Sequence, residues 1–479
     1  MKLAQLLKGI EYKGQAPDIE ISGVTSDSRK AGPGVVFVCL KGERSDGHDY
    51  AAAAAEAGCA AVIAERDTGV NVPQIITEDT HAAYAAVCAN YFGNPADKLK
   101  FIGVTGTNGK TTVTTIIKDV LERCGYKTGL IGTIKNMSGD KELPAHYTTP
   151  EAYELQSLLR TMVDDGCKYC VMEVSSHALA QKRVDGLHFI CGVFTNLTQD
   201  HLDFHKTMEN YLKAKQRLFE MSDIGVINAD DQYAKTIIEE APCRTVTYGV
   251  NTENADFRAC DIKYNSVGIS YSLKGKTSGE IKANLPGAFS VYNTLAAIAC
   301  AVSIGIPFEK AKNALASFKG VKGRIEVVPT GRDFTIIIDY AHTPDGLEKI
   351  LRAVKSFAKG RIVALFGCGG DRDKGKRPKM GKVAADNADF LIITSDNPRT
   401  EDPDAIIDDI LAGLNGSNTP YVKITNRREA IKYAIMNAQK DDCIVLAGKG
   451  HEDYQILPTG RIHFDEREVI AEILKELDS

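Results

Sequence analysis

Short apolar runs closed by turn residues alternate along this chain with longer stretches whose apolar positions recur at helical spacing, and that alternation decides the fold class. Over residues 1–98, the runs at 35–40 and 60–64 read as strands, and the stretches at 50–57 and 80–92 read as helices. Gly93-Asn94-Pro95 stops the second helix and marks a linker, because proline cannot continue a helix and glycine closes one. From residue 101 the order becomes regular. Strands at 101–104, 128–134, 169–174, 192–195 and 225–227 are separated by helices at 112–123, 151–164 and 208–221. This pattern predicts a mostly parallel sheet covered by helices. Residues 255–285 alternate between strands and turns, which predicts an antiparallel extension. The apolar run 295–308 is too short to span a bilayer and contains Ser303 and Gly305, so it predicts a buried helix. A last α/β unit opens near Val327, with strands at 335–338, 362–366, 390–394 and 444–447.

Length sharpens this picture. At 479 residues the chain exceeds one ordinary core and calls for about three domains, which the elements place at 1–98, 99–326 and 327–479. Its composition, 43% hydrophobic and 25% charged, is that of a folded globular protein. The net charge of −5 argues against a nucleic-acid or membrane-surface binder, which needs a basic excess. Small anionic substrates stay open, because a local pocket can be basic on an acidic protein. The N-terminal apolar stretch is too short for a secretion signal, and the twelve scattered cysteines suit reduced thiols. A cytoplasmic location is expected. Cys167 and Cys170 have C-x-x-C spacing, but no second pair accompanies them, so neither metal nor redox chemistry is expected there.

The segment from Phe101 to Thr112 runs strand, glycine-rich turn, helix, with Gly106-Thr107-Asn108-Gly109-Lys110-Thr111-Thr112 at the turn. Glycines let backbone N–H groups face a phosphate, the helix N-terminus adds positive potential, and Lys110 reaches the outer phosphates. The hydroxyl of Thr111 is placed for Mg²⁺. Only two residues separate Gly106 from Gly109, where the common phosphate loop has four. By itself the loop fits a kinase, an ATPase or a ligase.

That shortened loop resembles the one in the Mur ligase and folylpolyglutamate synthase superfamily. Further landmarks of that superfamily follow in order: Thr25-Ser-Asp-Ser-Arg29, Thr148-Thr-Pro150, Glu173-Val-Ser-Ser-His177, Asn196-Leu-Thr-Gln-Asp-His201, Ala214-Lys215, Asn293, Gly323-Arg324, Asp339-Tyr-Ala-His342, Gly369-Gly-Asp-Arg372, Asp396-Asn-Pro-Arg399 and Gly448-Lys-Gly-His-Glu452. The resemblance covers nearly the whole chain. It implies an N-terminal α/β substrate domain, a central mostly parallel α/β ATPase domain with the phosphate loop, and a C-terminal Rossmann-like α/β domain. The implied activity is ATP-dependent amide formation on a UDP-N-acetylmuramoyl-L-alanyl-D-glutamate substrate, through an acyl phosphate, by a monomer.

The resemblance also assigns residues. Gly106 to Thr112, Asn293, Arg324 and Asp339 would contact ATP. Lys110, Glu173, His201 and Lys215 would be catalytic, and Thr111, Glu173, His201 and a CO₂-carbamylated Lys215 would hold Mg²⁺. Carbamylation needs a neutral amine, hence a pKa depressed by burial or nearby cations. Ser28, Glu43, Arg44, Ser45, Thr148, Thr149, Ser175, Gln181 and Arg183 would hold the UDP-linked peptide, with Arg183 suited to a bidentate carboxylate clamp. Arg372, Asp396, Asn397, Pro398, Arg399, Gly448 and Glu452 would bind the incoming amino acid. The arginine in Asp396-Asn-Pro-Arg399 is the form found in meso-diaminopimelate-adding members. Physical chemistry agrees, because diaminopimelate carries a far carboxylate for a guanidinium fork and lysine does not. A lysine-adding ligase, a folylpolyglutamate synthase and a phosphate-loop kinase or NTPase are the alternatives.

Overall fold

The computed structural model describes residues 1–42, 45–265 and 268–478. By packing, these form two compact units, Met1–Arg258 with Leu295–Ala314, and Ala259–Thr294 with Leu315–Ser479. Both are α/β.

In the first unit a four-stranded parallel sheet runs in the order Gly23–Thr25, Val35–Val38, Ala61–Ala64, Gln74–Ile76. Strand period two sorts its side chains. Val36 and Val38 pack with Leu3, Leu6, Ala83 and Val87 on one face, whereas Phe37 and Cys39 pack with Ala51 and Ala54 on the other. Helix Thr80–Tyr91 is started by Asp79, whose carboxylate accepts from Ala82 N.

The second sheet of this unit holds the phosphate strand. Its order is Arg244–Gly249, Ile224–Asn228, Phe189–Phe194, Lys100–Thr105, Tyr169–Glu173, Thr128–Ile131, all parallel. A short antiparallel pair, Asn136–Ser138 and Lys141–Leu143, closes one edge. Lys100–Thr105 lies between two strands that come later in the chain. The connections on its two sides therefore diverge, leaving the crevice at strand carboxyl ends where open α/β sheets bind ligands.

The third sheet, in the second unit, has the order Glu326–Val328, Thr335–Asp339, Cys443–Ala447, Ile362–Phe366, Phe390–Ile393, Tyr421–Lys423, and only its first pair is antiparallel. Ile337, Ala364, Leu391 and Val445 face one core and Ile336, Val363, Ile392 and Ile444 the other. Burial on both faces explains why these strands read as continuous apolar runs.

Most expected elements form close to their expected bounds. Three do not. The strand expected at 128–134 ends at Ile131, because Gly132 and Thr133 turn to meet Glu173. The apolar run 295–308 lies in helix Ala288–Ser303, with Gly305 at φ +91° breaking it from helix Phe308–Ala316. Helix Ala234–Glu240 and strand Arg244–Gly249 were not foreseen. The antiparallel extension is real: Gly268–Gly275 pairs antiparallel with Gly279–Ala283. Packing groups 259–294 with the last third of the chain, since Phe289 sits on the cluster of Leu347 and Val354. That division is coarser than the three expected domains.

One buried ion pair organises the loop end of the third sheet. Arg427 and Glu466 are both fully buried and meet at 2.8 Å. The guanidinium also donates to Ala447 O at 3.0 Å and Ser395 O at 3.4 Å, the ends of two strands. Removing one partner of such a pair leaves a buried charge unmatched, at about 3–5 kcal/mol. Arg427→Met should therefore lower the stability of the second unit by about that amount in urea unfolding, and a loss below about 1 kcal/mol would refute the assignment.

Candidate functional site

The phosphate loop is shaped by its glycines. Gly106 has φ +145°, and a Cβ there would lie 1.9 Å from Thr195 Oγ1. Gly109, at φ +88°, turns the chain into helix Lys110–Arg123. Thr111 and Thr112 occupy the first turn, half-buried.

The loop is tied to the end of the neighbouring strand. Thr107 N donates to Asn196 O at 2.8 Å, and Asn108 N to Asn196 Oδ1 at 3.0 Å. Thr195 Oγ1 donates to Asn108 O at 2.6 Å, and Thr198 N to Thr107 Oγ1 at 3.0 Å. Lys110 folds over the loop, its ammonium donating to Gly106 O and Thr107 O at 2.9 and 3.0 Å. The sequence carries no expectation for Thr195, and Asn196 enters it only as the first residue of the Asn196–His201 landmark.

Glu173 ends the next strand and is buried. Thr133 N and Oγ1 donate to its two carboxylate oxygens at 2.8 and 3.0 Å. Thr133 Oγ1 also meets Thr148 Oγ1 at 3.0 Å, and Thr149 Oγ1 donates to Glu173 O at 2.8 Å while accepting from Ser175 N. The peptide-site residues expected at 148, 149 and 175 thus surround Glu173. Ser175 also caps helix Ser176–Ala180.

Arg183 lies beside Thr149 but is engaged. It donates to Thr149 O at 3.1 Å and to Gln181 Oε1 at 2.9 Å, and pairs with Glu151 at 2.7 Å. A carboxylate ligand would have to displace Glu151.

His201, at φ +52°, starts the short helix Leu202–His205, and Lys206 follows at φ +67°. A non-glycine residue with positive φ on each side is strain of the kind kept at functional sites. His201 packs edge-on against His177 at 4.9 Å, and His205 stacks on Tyr211 at 4.9 Å while bonding Ser176 Oγ at 2.8 Å. Burial, reinforced by the His177 and Lys215 charges, lowers His205 to about 4. Burial also lowers His201, opposed by Asp200.

Lys215 projects from helix Met208–Glu220 and is 1% exposed. Its ammonium lies 4.5 Å from the centre of the Tyr211 ring. Burial first, then the Lys110 charge, push its pKa well below the ordinary value against an opposing pull from Asp200, which favours the neutral amine relative to an exposed lysine.

The second unit carries the remaining candidates. Asp339 ends its strand and accepts from Ile325 N and Ala341 N, both at 2.8 Å. Arg324 stacks on Tyr340 at 5.0 Å, and Asn293 is buried in helix Ala288–Ser303. Asp396, Asn397 and Pro398 are buried and Arg399 half-buried at φ +53°. A Cβ on Gly369 would lie 2.8 Å from Arg399 Nη1 and 3.8 Å from Arg372 Cγ, so both arginines flank one glycine. Asn397 Nδ2 donates to Glu452 Oε2 at 3.0 Å. Gly448, at φ +115°, leaves room for Asp396, whose Oδ2 would be 3.3 Å from a Cβ there. The Arg372, Asp396–Arg399, Gly448 and Glu452 set therefore converges, and Lys449, for which no role was expected, bonds Asn397 and Glu452 within it.

In the N-terminal sheet region, Ser28 opens a 3-10 turn capped by Asp27, and Ser45 is exposed. Glu43 and Arg44 lie outside the described residues. Cys167 and Cys170 are buried free thiols, as are most of the twelve cysteines. Among the described residues no helix is long and apolar enough to cross a membrane.

Three family profiles match the chain: the Mur ligase family catalytic domain at residues 20–93, the Mur ligase middle domain at 104–301, and the Mur ligase glutamate ligase domain at 323–450. A relative from Caldanaerobacter subterraneus subsp. tengcongensis, named UDP-N-acetylmuramoyl-L-alanyl-D-glutamate–2,6-diaminopimelate ligase, is 51% identical over 99% of both chains. One from Clostridium acetobutylicum with the same enzyme name is 49% identical over the full length of both. A solved structure of a 2,6-diaminopimelate ligase of that name superposes with a TM-score of 0.74 at 33% identity, covering 100% of this chain and 99% of that one.

The geometry of the loop makes one expectation sharp. Gly106→Ala would place a methyl group within the Thr195 hydroxyl and force strain of about 1–3 kcal/mol. Nucleotide affinity, measured by calorimetric titration, should fall at least about tenfold, and wild-type affinity would contradict this account of the loop.

Proposed function

The chain belongs to the Mur ligase family, and on that premise we propose that it is the ATP-dependent ligase joining meso-2,6-diaminopimelate to UDP-N-acetylmuramoyl-L-alanyl-D-glutamate. The bond is made at the D-glutamate γ-carboxylate, as a cytoplasmic step in peptidoglycan precursor synthesis. The name shared by its full-length relatives supports this reading. The observation that carries it is the loop cluster in which Arg399 and Arg372 flank Gly369 while Asn397 is bonded to the Glu452 carboxylate. That cluster suits an amino acid whose side chain ends in both a carboxylate and an ammonium. The division into domains at 1–98, 99–326 and 327–479, one each for the UDP-linked peptide, ATP and the amino acid, is part of the same proposal, as is action as a monomer.

A carboxylate resists an amine at neutral pH because oxide is a prohibitive leaving group. Transfer of the ATP γ-phosphoryl to it gives an acyl phosphate, which an amine attacks with loss of phosphate. The transfer gathers negative charge, and positioned cations are what stabilise it. In this reading Lys110 leaves the loop carbonyls for the outer phosphates. Thr149 and Ser175, beside Glu173, would orient the peptide end, and Arg183 would exchange Glu151 for its carboxylate.

Mg²⁺ would supply Lewis-acid charge neutralisation. Among the described residues no three His, Cys, Asp or Glu side chains converge as a ready-made cage. A sparse oxygen set still fits this ion, which keeps waters and takes ligands from substrate phosphates. Thr111 and Glu173 would provide such oxygens, with Thr133 fixing the carboxylate. His201 would stand close by. Lys215, buried and biased to the neutral amine, would add CO₂ and lose a proton to become a carbamate, turning a cation into an oxygen ligand.

Two sets of measurements test this, one on the acceptor and one on Lys215. Purified protein with ATP, Mg²⁺ and the UDP-linked dipeptide should form tripeptide preferentially with diaminopimelate over L-lysine. Arg399→Ala should cut kcat/KM for diaminopimelate by roughly a hundredfold or more. Preference for lysine would keep the ligase and remove the assignment of Arg399. For Lys215, ¹³CO₂ should give a carbamate resonance that is missing in Lys215→Ala, with activity down about a hundredfold or more. Full activity in that variant would eliminate the carbamate.

A further inference from the structure

Lys449 has no exposed surface, yet it stands between the two motifs from which the proposed amino-acid site is built. Its ammonium donates to Glu452 Oε2 at 3.0 Å and Asn397 Oδ1 at 3.2 Å, and approaches Asp396 Oδ1 at 3.5 Å. The Tyr454 ring lies 5.5 Å away. Lysine is almost never fully buried unless its charge is paired. The fold gives no reason for one here, because the preceding strand, Cys443–Ala447, is apolar and its pairing to both neighbours stops before residue 449.

The contacts define what the lysine does. Asn397 Oδ1 accepts from Lys449 and also from Ile456 N at 3.0 Å. With both lone pairs of that oxygen engaged, the carboxamide cannot flip, and its Nδ2 is held on Glu452 Oε2 at 3.0 Å. One oxygen of Glu452 is thereby fixed by two donors. Charge follows the same logic. Within the trio bonded at Lys449, apart from the Arg372 and Arg399 guanidiniums beside Gly369, Asp396 and Glu452 bring two negative charges and Lys449 one positive, so this end of the site keeps one uncompensated carboxylate charge for a ligand. An amine that attacks an acyl phosphate must be unprotonated. The ammonium paired with this charge is therefore the acceptor's other, non-reacting one.

We propose that Lys449 is a positioning residue for the acceptor amino acid. It locks the Asn397 carboxamide and the Glu452 carboxylate in one geometry and leaves a single negative charge for the non-reacting ammonium. It acts through these partners and does not itself touch the acceptor. The inference rests on the diaminopimelate reading given above.

The test is steady-state kinetics of the full chain with each of its three substrates varied. In Lys449→Met the KM for diaminopimelate should rise at least about tenfold, while the KM for ATP and for the UDP-linked dipeptide stays within about twofold. An unchanged KM for diaminopimelate, or a parallel rise for all three substrates, would overturn the proposal, the latter because it is what a purely structural lysine gives. Should that variant fail to fold, the wild type decides. It should use 2-aminopimelate, which lacks the non-reacting amine, at least about tenfold less efficiently than diaminopimelate. Equal use of the two overturns the role of Lys449, whereas no use of diaminopimelate by the wild type overturns the parent reading instead.

Discussion

Parallel pairing brings the carboxyl ends of adjacent strands to one edge of a sheet, and in each unit the charged loops gather along that edge. In the first unit, strands Phe189–Phe194, Lys100–Thr105 and Tyr169–Glu173 are neighbours, so Asn196, Gly106 and Glu173 emerge side by side although they are scattered in sequence. In the second, Asp339 and Ala447 end paired strands, and Gly448 N donates to Asp339 O at 3.0 Å. The backbone groups freed where pairing stops need partners. Loop carbonyls, Thr and Asn side chains supply them, and these same contacts set the shape of both candidate sites.

Buried charge is the second theme. Lys215, Arg377, Arg427 and Lys449 are at most 1% exposed, and an isolated charge in such surroundings is strongly disfavoured. Three of them are matched by carboxylates: Arg427 by Glu466, Arg377 by Glu401 and Asp409, and Lys449 by Glu452. Arg377 has a local purpose, since Glu401 also accepts from Asp371 N at 2.6 Å and so anchors the loop that carries Arg372. Lys215 differs. Its ammonium lies over the Tyr211 ring, and burial and the Lys110 charge lower its pKa more than the Asp200 charge raises it.

The histidine cluster beside it shows how a short element can be held under strain. Helix Leu202–His205 is bounded by two positive-φ residues, and His205 is secured by Ser176 and Tyr211. His201 itself packs edge-on against His177 and Tyr211. Burial lowers the pKa of both His201 and His205, which favours the neutral imidazole, whose two nitrogens can accept as well as donate.

What the sequence determined by itself was local. The phosphate loop was legible because a strand, two glycines at short spacing, a lysine and a helix start lie within about a dozen residues, and each has one dominant conformational reason. The parallel sheets were legible because strands buried on both faces must be apolar throughout. Strand Arg244–Gly249 was not, because its outer residues are exposed or half-buried and its pattern blends into turns. The partners that make the sites work were decided only by tertiary structure. Thr133 reaches Glu173 across 40 residues, and Lys449 reaches Asn397 across 52. A hydrogen bond has a range of about 3 Å in space and no characteristic separation along the chain. The family resemblance therefore singled out Glu173, Asn397 and Glu452 as chemical groups, while folding chose the threonine that fixes the first and the lysine that fixes the other two.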